Sequence, residues 1–131
     1  MIKINKGASN TVILSLSERT TIEDANYLFE FIHDQTKATK YFIAEDISTN
    51  KIRFNEFVIE ENSTEDLENG VVSLVHLDFW KYTIREQVSS TNLDPSLSGN
   101  IVEEGKVLVL DSSSEIPTFT QETTEIKVFN G

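Results

Sequence analysis

The 131-residue chain contains no cysteine, so a disulfide framework, a thiolate metal site and a cysteine nucleophile are all excluded. Its two histidines, His33 and His76, leave little room for imidazole chemistry, and neither stands in an HExxH-like spacing. Basic residues number 11 against 22 acidic ones, and a net charge of −11 repels a phosphate backbone, which argues against nucleic-acid binding. No apolar run approaches the roughly 18 residues that a membrane-spanning helix needs, and the first residues, Met1 to Asn10, carry no signal-like apolar stretch. Neither GxGxxG, GxxxxGK[ST] nor GxSxG occurs. With two prolines and five glycines, most turns have to be built from Asn, Asp and Ser.

What is present is 26 Ser and Thr residues in clusters, with β-branched and aromatic residues between them, the composition of an all-β domain with polar turns. Strands are expected at Ile2 to Asn5, Thr11 to Leu16, Asn26 to Asp34, Lys40 to Asp46, Phe54 to Glu61, Val71 to Leu77, Asp78 to Val88 and from Gly105 into Lys106 to Leu110. In the third, Tyr27, Phe29 and Phe31 alternate with Leu28, Glu30 and Ile32; in the seventh, Trp80, Tyr82 and Ile84 share a face. This period of two marks half-buried strands and makes Phe29, Phe31, Trp80, Tyr82 and Ile84 the expected core. The segments around Asn26, Lys40 and Phe54 read as an antiparallel meander. Seven to eight strands at short spacings predict a β-sandwich over residues 1–111.

Beyond Asp111 the composition changes. Residues 112–131 form a Ser/Thr-rich arm ending in a short strand pattern, Glu125 to Phe129. Twenty such residues cannot fold alone, so the arm is expected to lie along its own domain or to add a strand to a neighbouring sheet edge, with Phe119, Ile126, Val128 and Phe129 as anchors.

Clustered carboxylates at Glu60, Glu61, Glu65, Asp66 and Glu68 are oxygen ligands of the kind calcium favours, but EF-hand spacing is absent and a solvated surface loop is the expectation. A helical turn from Ser63 or Thr64 is expected within that loop, and Asn69-Gly70 suits a turn at positive φ. Glu103 and Glu104 read as surface charge. Trp80, Tyr82 and Tyr27 would stack on sugar rings only if exposed, and at their period aromatics are core residues far more often. No catalytic residue, cofactor or metal is expected.

The run from Asp78 to Ile84 resembles the strand F pattern of immunoglobulin-type domains, Asp-x-x-x-Tyr-x-Cys. The resemblance implies a tyrosine-corner position for Tyr82 and places Ile84 where that family has cysteine; both cysteines and the earlier Trp are missing here. A longer likeness covers about residues 3–110. The succession KGxxNTVxLxLSE, YLFEF, YFIAxDxS, FWxYxIxEQ and EEGKVLVL is similar to small virion structural proteins of tailed phages, particularly crAss-like phages of Bacteroidota. It implies a head-decorating or head-fibre-anchoring component that acts by assembly. Its partners would be other virion proteins (capsid, fibre or connector subunits) and copies of itself, in a virion assembled in the host cytoplasm. The alternative reading is a carbohydrate-binding or adhesin-like module, which needs Trp80 or Tyr27 at the surface. A small hydrolase would need His33 or His76 in a cleft with acid and hydroxyl partners.

Overall fold

The computed structural model describes residues 1–49 and 53–111. The arm anchors Phe119, Ile126, Val128 and Phe129 therefore lie outside the described residues. Among the described residues eight strands follow in order: β1 (Ile2–Asn5), β2 (Ser9–Leu14), β3 (Asn26–His33), β4 (Thr39–Ile43), β5 (Asn55–Glu61), β6 (Val71–Val72), β7 (Asp78–Gln87) and β8 (Ile101–Leu110). One 3-10 turn, Pro95–Leu97, is capped by Asp94, whose carboxylate accepts from the Ser96 amide at 2.9 Å.

Five strands form one sheet in the order β1-β8-β7-β3-β4, and three form the other in the order β2-β5-β6. The alternation seen in the sequence explains how the layers close. Phe29 and Phe31 on β3 and Trp80, Tyr82 and Ile84 on β7 point inward, where they meet Val12, Phe57 and Ile59 from the opposite sheet. Phe57 sets its ring edge-on to Phe29 at 5.1 Å and to Tyr27 at 5.8 Å, while Phe29 stacks on Phe42 at 5.1 Å. With β2 beside β5 in one layer and β3, β7 and β8 neighbours in the other, the arrangement is the immunoglobulin-like sandwich.

Four of the expected features are corrected. First, the expected meander breaks after β4: β5 crosses to the other layer and pairs antiparallel with β2, from Ser9↔Glu60 to Leu14↔Asn55. The aromatic faces of β3 and β5 are complementary, and two inward faces fill one core only from opposite sheets. Second, the sandwich is not wholly antiparallel. β1 runs parallel to β8 and β6 parallel to β5. Third, the strand expected over Val71 to Leu77 keeps only Val71 and Val72, because the Glu61 carboxylate takes the Leu74 amide at 3.0 Å and turns the chain out of the sheet. Fourth, no helical turn forms at Ser63 or Thr64. The Asn62 side chain accepts from the Thr64 amide at 3.0 Å, and the chain instead reverses between Asp66 and Gly70, with Gly70 at φ 75°. A Cβ at Gly70 would lie 2.9 Å from the Val58 carbonyl, so glycine is required there twice over.

Candidate functional site

Among the concavities of the described surface, two bear on its loops and sheet edges. The larger, about 640 Å³, opens between the β2–β3 loop and the segment after β4. Its described lining includes Glu18, Asp24, Glu45 and Asp46 and the Tyr27 ring, and no Lys or Arg. Beneath it lie two polar clusters that shape the loops. Asp46 accepts from the Asn55 side-chain amide (2.6 Å), the Ser48 hydroxyl (2.7 Å) and the amides of Ser48 and Glu56 (3.0 and 3.2 Å). Burial pushes its carboxyl up, but these donors outweigh burial and hold it below the ordinary 3.8. Asn55, itself buried, accepts from the Leu16 amide at 2.7 Å and so ends β2.

The second cluster centres on Glu86, a carboxylate with 0% exposure near the end of β7. One of its oxygens accepts from the amides of Thr21 and Ile22 at 2.7 and 2.9 Å; the other accepts from the Thr21 hydroxyl at 2.9 Å and Asn100 at 3.4 Å. Burial raises this carboxyl, and the two amides with the hydroxyl more than reverse the effect, leaving it below 4.5. A single side chain thus ties the β2–β3 loop and the β7–β8 connection to one strand. Tyr27 completes this wall, its hydroxyl 3.0 Å from that of Thr20, and burial raises its phenol. With their lone pairs committed to backbone and side-chain donors, Asp46 and Glu86 act as structural ties.

The smaller concavity, about 340 Å³, lies between β1 and β2, the first strands of the two sheets. Its lining mixes Ile2, Val12, Ile13 and Leu14 with Lys3, Thr11, Tyr82 and Glu103. The Tyr82 hydroxyl donates to Glu103 on β8 at 2.5 Å, and burial with that carboxylate pushes the phenol far up. This bond replaces the tyrosine-corner link back to the upstream backbone that the strand F resemblance implies, and Glu103 is more than surface charge. β2 and β1 are held together at one end by Asn10, which accepts from the Asn5 amide at 2.9 Å and donates to the Ile59 carbonyl at 3.3 Å.

The residues singled out from the sequence fall as follows. Phe29, Phe31, Trp80, Tyr82 and Ile84 all lie in the core. Trp80 and Tyr27 are 0% and 5% exposed, so neither offers the sugar-stacking face an adhesin-like module needs. The Trp80 indole donates to the His76 carbonyl at 3.0 Å. His33 stacks on His76 at 4.8 Å, and its ring nitrogens sit 2.9 Å from the Thr36 hydroxyl and 3.0 Å from the Leu77 carbonyl. That pair joins the β3–β4 turn to the chain entering β7.

In the acidic loop the expected solvated surface holds only in part. Glu61 is buried and accepts from the amides of Gly7 (2.8 Å) and Leu74, and Glu65 pairs with Lys40 at 2.7 Å. Lys40 and the Ser73 amide hold the Glu65 carboxyl below its ordinary value. Among the described residues no group of three His, Asp or Glu is placed to hold a metal ion. Reading along the chain missed Asn10, Asn55, Glu61 and Glu86 as ties. The signal was available: each stands in phase with a core face, Asn55 and Glu61 with Phe57 and Ile59, and Glu86 with Trp80, Tyr82 and Ile84.

No protein-family model matches the chain, and no curated protein matches it. Among solved structures, a candidate glycoside hydrolase from Bacteroides vulgatus is similar at a TM-score of 0.44 and 9% identity, over 85% of this chain. This chain spans 16% of the length of that one.

Proposed function

We propose that this chain is a structural component of a tailed-phage virion, decorating the head or anchoring a head fibre, and that it works by protein–protein assembly. The observation that carries the reading is the unfinished edge of the smaller sheet. Among the described residues β2 is hydrogen-bonded to β5 on one side and has no strand on the other, with the side chains of Ser9, Thr11 and Ile13 exposed. A strand that ends a sheet with unpaired amides and carbonyls is a template for another strand, and assembling proteins use it that way. Burial of Trp80 and Tyr27 supports assembly over the sugar-binding alternative, and the resemblance of residues 3–110 to virion proteins supplies the setting. The surface charge is compatible with this role, since an excess of carboxylates discourages non-specific attachment to packaged nucleic acid.

Antibodies raised against the chain are expected to label purified particles of the phage that encodes it, and the full chain is expected to be oligomeric by light scattering. A monomer that binds polysaccharide and is missing from particles would overturn the proposal in favour of the adhesin-like reading.

A further inference from the structure

We infer that the edge of β2 is the acceptor for the Glu125 to Phe129 segment of a second copy of this chain, an inference that rests on the assembly reading above. The phase of the edge is fixed by the structure. The Glu61 amide donates to the Ala8 carbonyl at 3.0 Å, so in this antiparallel pair the backbone groups of Asn10, Val12 and Leu14 also face β5. Those of Ser9, Thr11 and Ile13 consequently face outward, away from β5. Side chains follow the same alternation. Val12 is buried and Leu14 half-buried, while Ile13 between them is 62% exposed, and all three border the 340 Å³ cleft.

A five- to six-residue strand with two apolar side chains on one face fits this edge, because its inward side chains would enter the cleft beside Leu14, with Lys3, Thr11 and Glu103 at its polar walls. The segment from Glu125 to Phe129 has that pattern: Ile126 and Val128 share one face, with Glu125, Lys127 and Phe129 on the other. At five residues it is one shorter than β2, and every copy of the chain carries one acceptor and one donor. Such a head-to-tail contact closes into a ring or continues as a chain of subunits.

The end of the described chain favours a second copy as the source. β8 runs parallel to β1 and stops at Leu110, paired with Asn5, beside the turn at residues 6–8 from which β2 runs back. Leu110 is pinned there by the Lys6 amide at 2.9 Å from its carbonyl. The chain thus reaches Asp111 heading away from the body of β2, and seating on its own β2 requires a reversal that seating on a copy set end-on does not. The 13 intervening residues, 112–124, span up to ~43 Å when extended, enough to cross to a neighbouring subunit.

The absence of cysteine makes the test clean. Full-length chains carrying Ile13→Cys are mixed with full-length chains carrying Lys127→Cys, and a short thiol-reactive crosslinker is added. On the inferred seating both thiols stand on the outer face of the extended sheet. Crosslinked pairs containing one copy of each are expected, with far fewer when Lys106→Cys on the five-stranded sheet replaces Lys127→Cys. Ile126→Asp, which places a charge in the cleft, is expected to shift the light-scattering mass from oligomer to monomer. Thr11→Pro, which removes an outward amide, is expected to do the same. Where that variant fails to fold, the crosslink decides.

An oligomer that survives Ile126→Asp and gives no Ile13–Lys127 pair overturns the β2 acceptor and leaves the assembly reading standing. A doubly substituted chain that crosslinks within itself at monomer mass places the segment on its own edge and overturns the second copy. A full chain that is monomeric at all concentrations and forms no crosslink overturns both.

Discussion

Removing the Glu86 carboxylate tests whether one buried acid organises the loop end of the sandwich. In Glu86→Ala the amides of Thr21 and Ile22, now 2.7 and 2.9 Å from an oxygen, lose their acceptor together with the Thr21 hydroxyl. A buried donor left without a partner costs about 1–3 kcal/mol. These donors are only part-buried, so water recovers some of the loss and the sum comes to about 2–4 kcal/mol. Glu86→Gln keeps one oxygen for both amides, and the Thr21 hydroxyl and Asn100 side chain can reorient toward its NH₂ group. It forfeits chiefly the charge-assisted part of the bonds, about 1 kcal/mol.

Urea unfolding followed by the fluorescence of Trp80, the single tryptophan, reads both variants. The midpoint is expected to fall by about 1–2 M for the alanine variant and by about 0.5 M for the glutamine variant. The carboxyl lies below its ordinary value in the folded chain, so the unfolded chain binds more protons where the two forms differ. The stability it contributes is complete above the ordinary 4.5 and is lost as pH falls through the lower folded value. The gap between the native chain and Glu86→Gln must therefore shrink as pH drops below 4.5. A gap that stays constant down to pH ~3, or an alanine variant within ~0.5 kcal/mol of the native chain, would refute the reasoning.

Gly105→Ala places a Cβ 2.7–2.9 Å from the Tyr82 ring, directly across the β7–β8 ladder; displacing that packed ring is expected to cost about 1–3 kcal/mol in thermal or urea unfolding. Asn55→Ala strips the Leu16 amide of its acceptor and Asp46 of its shortest donor. A loss of about 2–4 kcal/mol is expected at neutral pH, and it shrinks as pH falls below 3.8, because an Asp46 carboxyl that has risen toward its ordinary value no longer adds stability that acid can remove. Lys106→Ala breaks an exposed pair with Asp34 at 2.6 Å and is expected to leave the urea midpoint essentially unchanged, so a clear fall in the midpoint would contradict this reading of the outer face.

The bounds of β1, the inward face of Tyr27, Phe29 and Phe31, that of Trp80, Tyr82 and Ile84, and the positive φ at Gly70 were all legible in the chain, because each depends on residues within one strand or turn. A period of two states which side chains share a face. It does not state which sheet that face belongs to, and the departure of β5 from the β3–β4 hairpin to β2 followed from the fit of Phe57 against Phe29 and Tyr27 across the core. The buried carboxylates divide along the same line. Glu61 and Glu86 stand in phase with core residues, which the sequence displays, yet the donors that meet them are amides far along the chain, at Gly7 and Leu74 and at Thr21 and Ile22. Local alternation determined the strands and their buried faces. Only the tertiary structure decided the pairing of β2 with β5 and the partners of the buried acids, because each of these rests on contacts between segments that the sequence holds far apart.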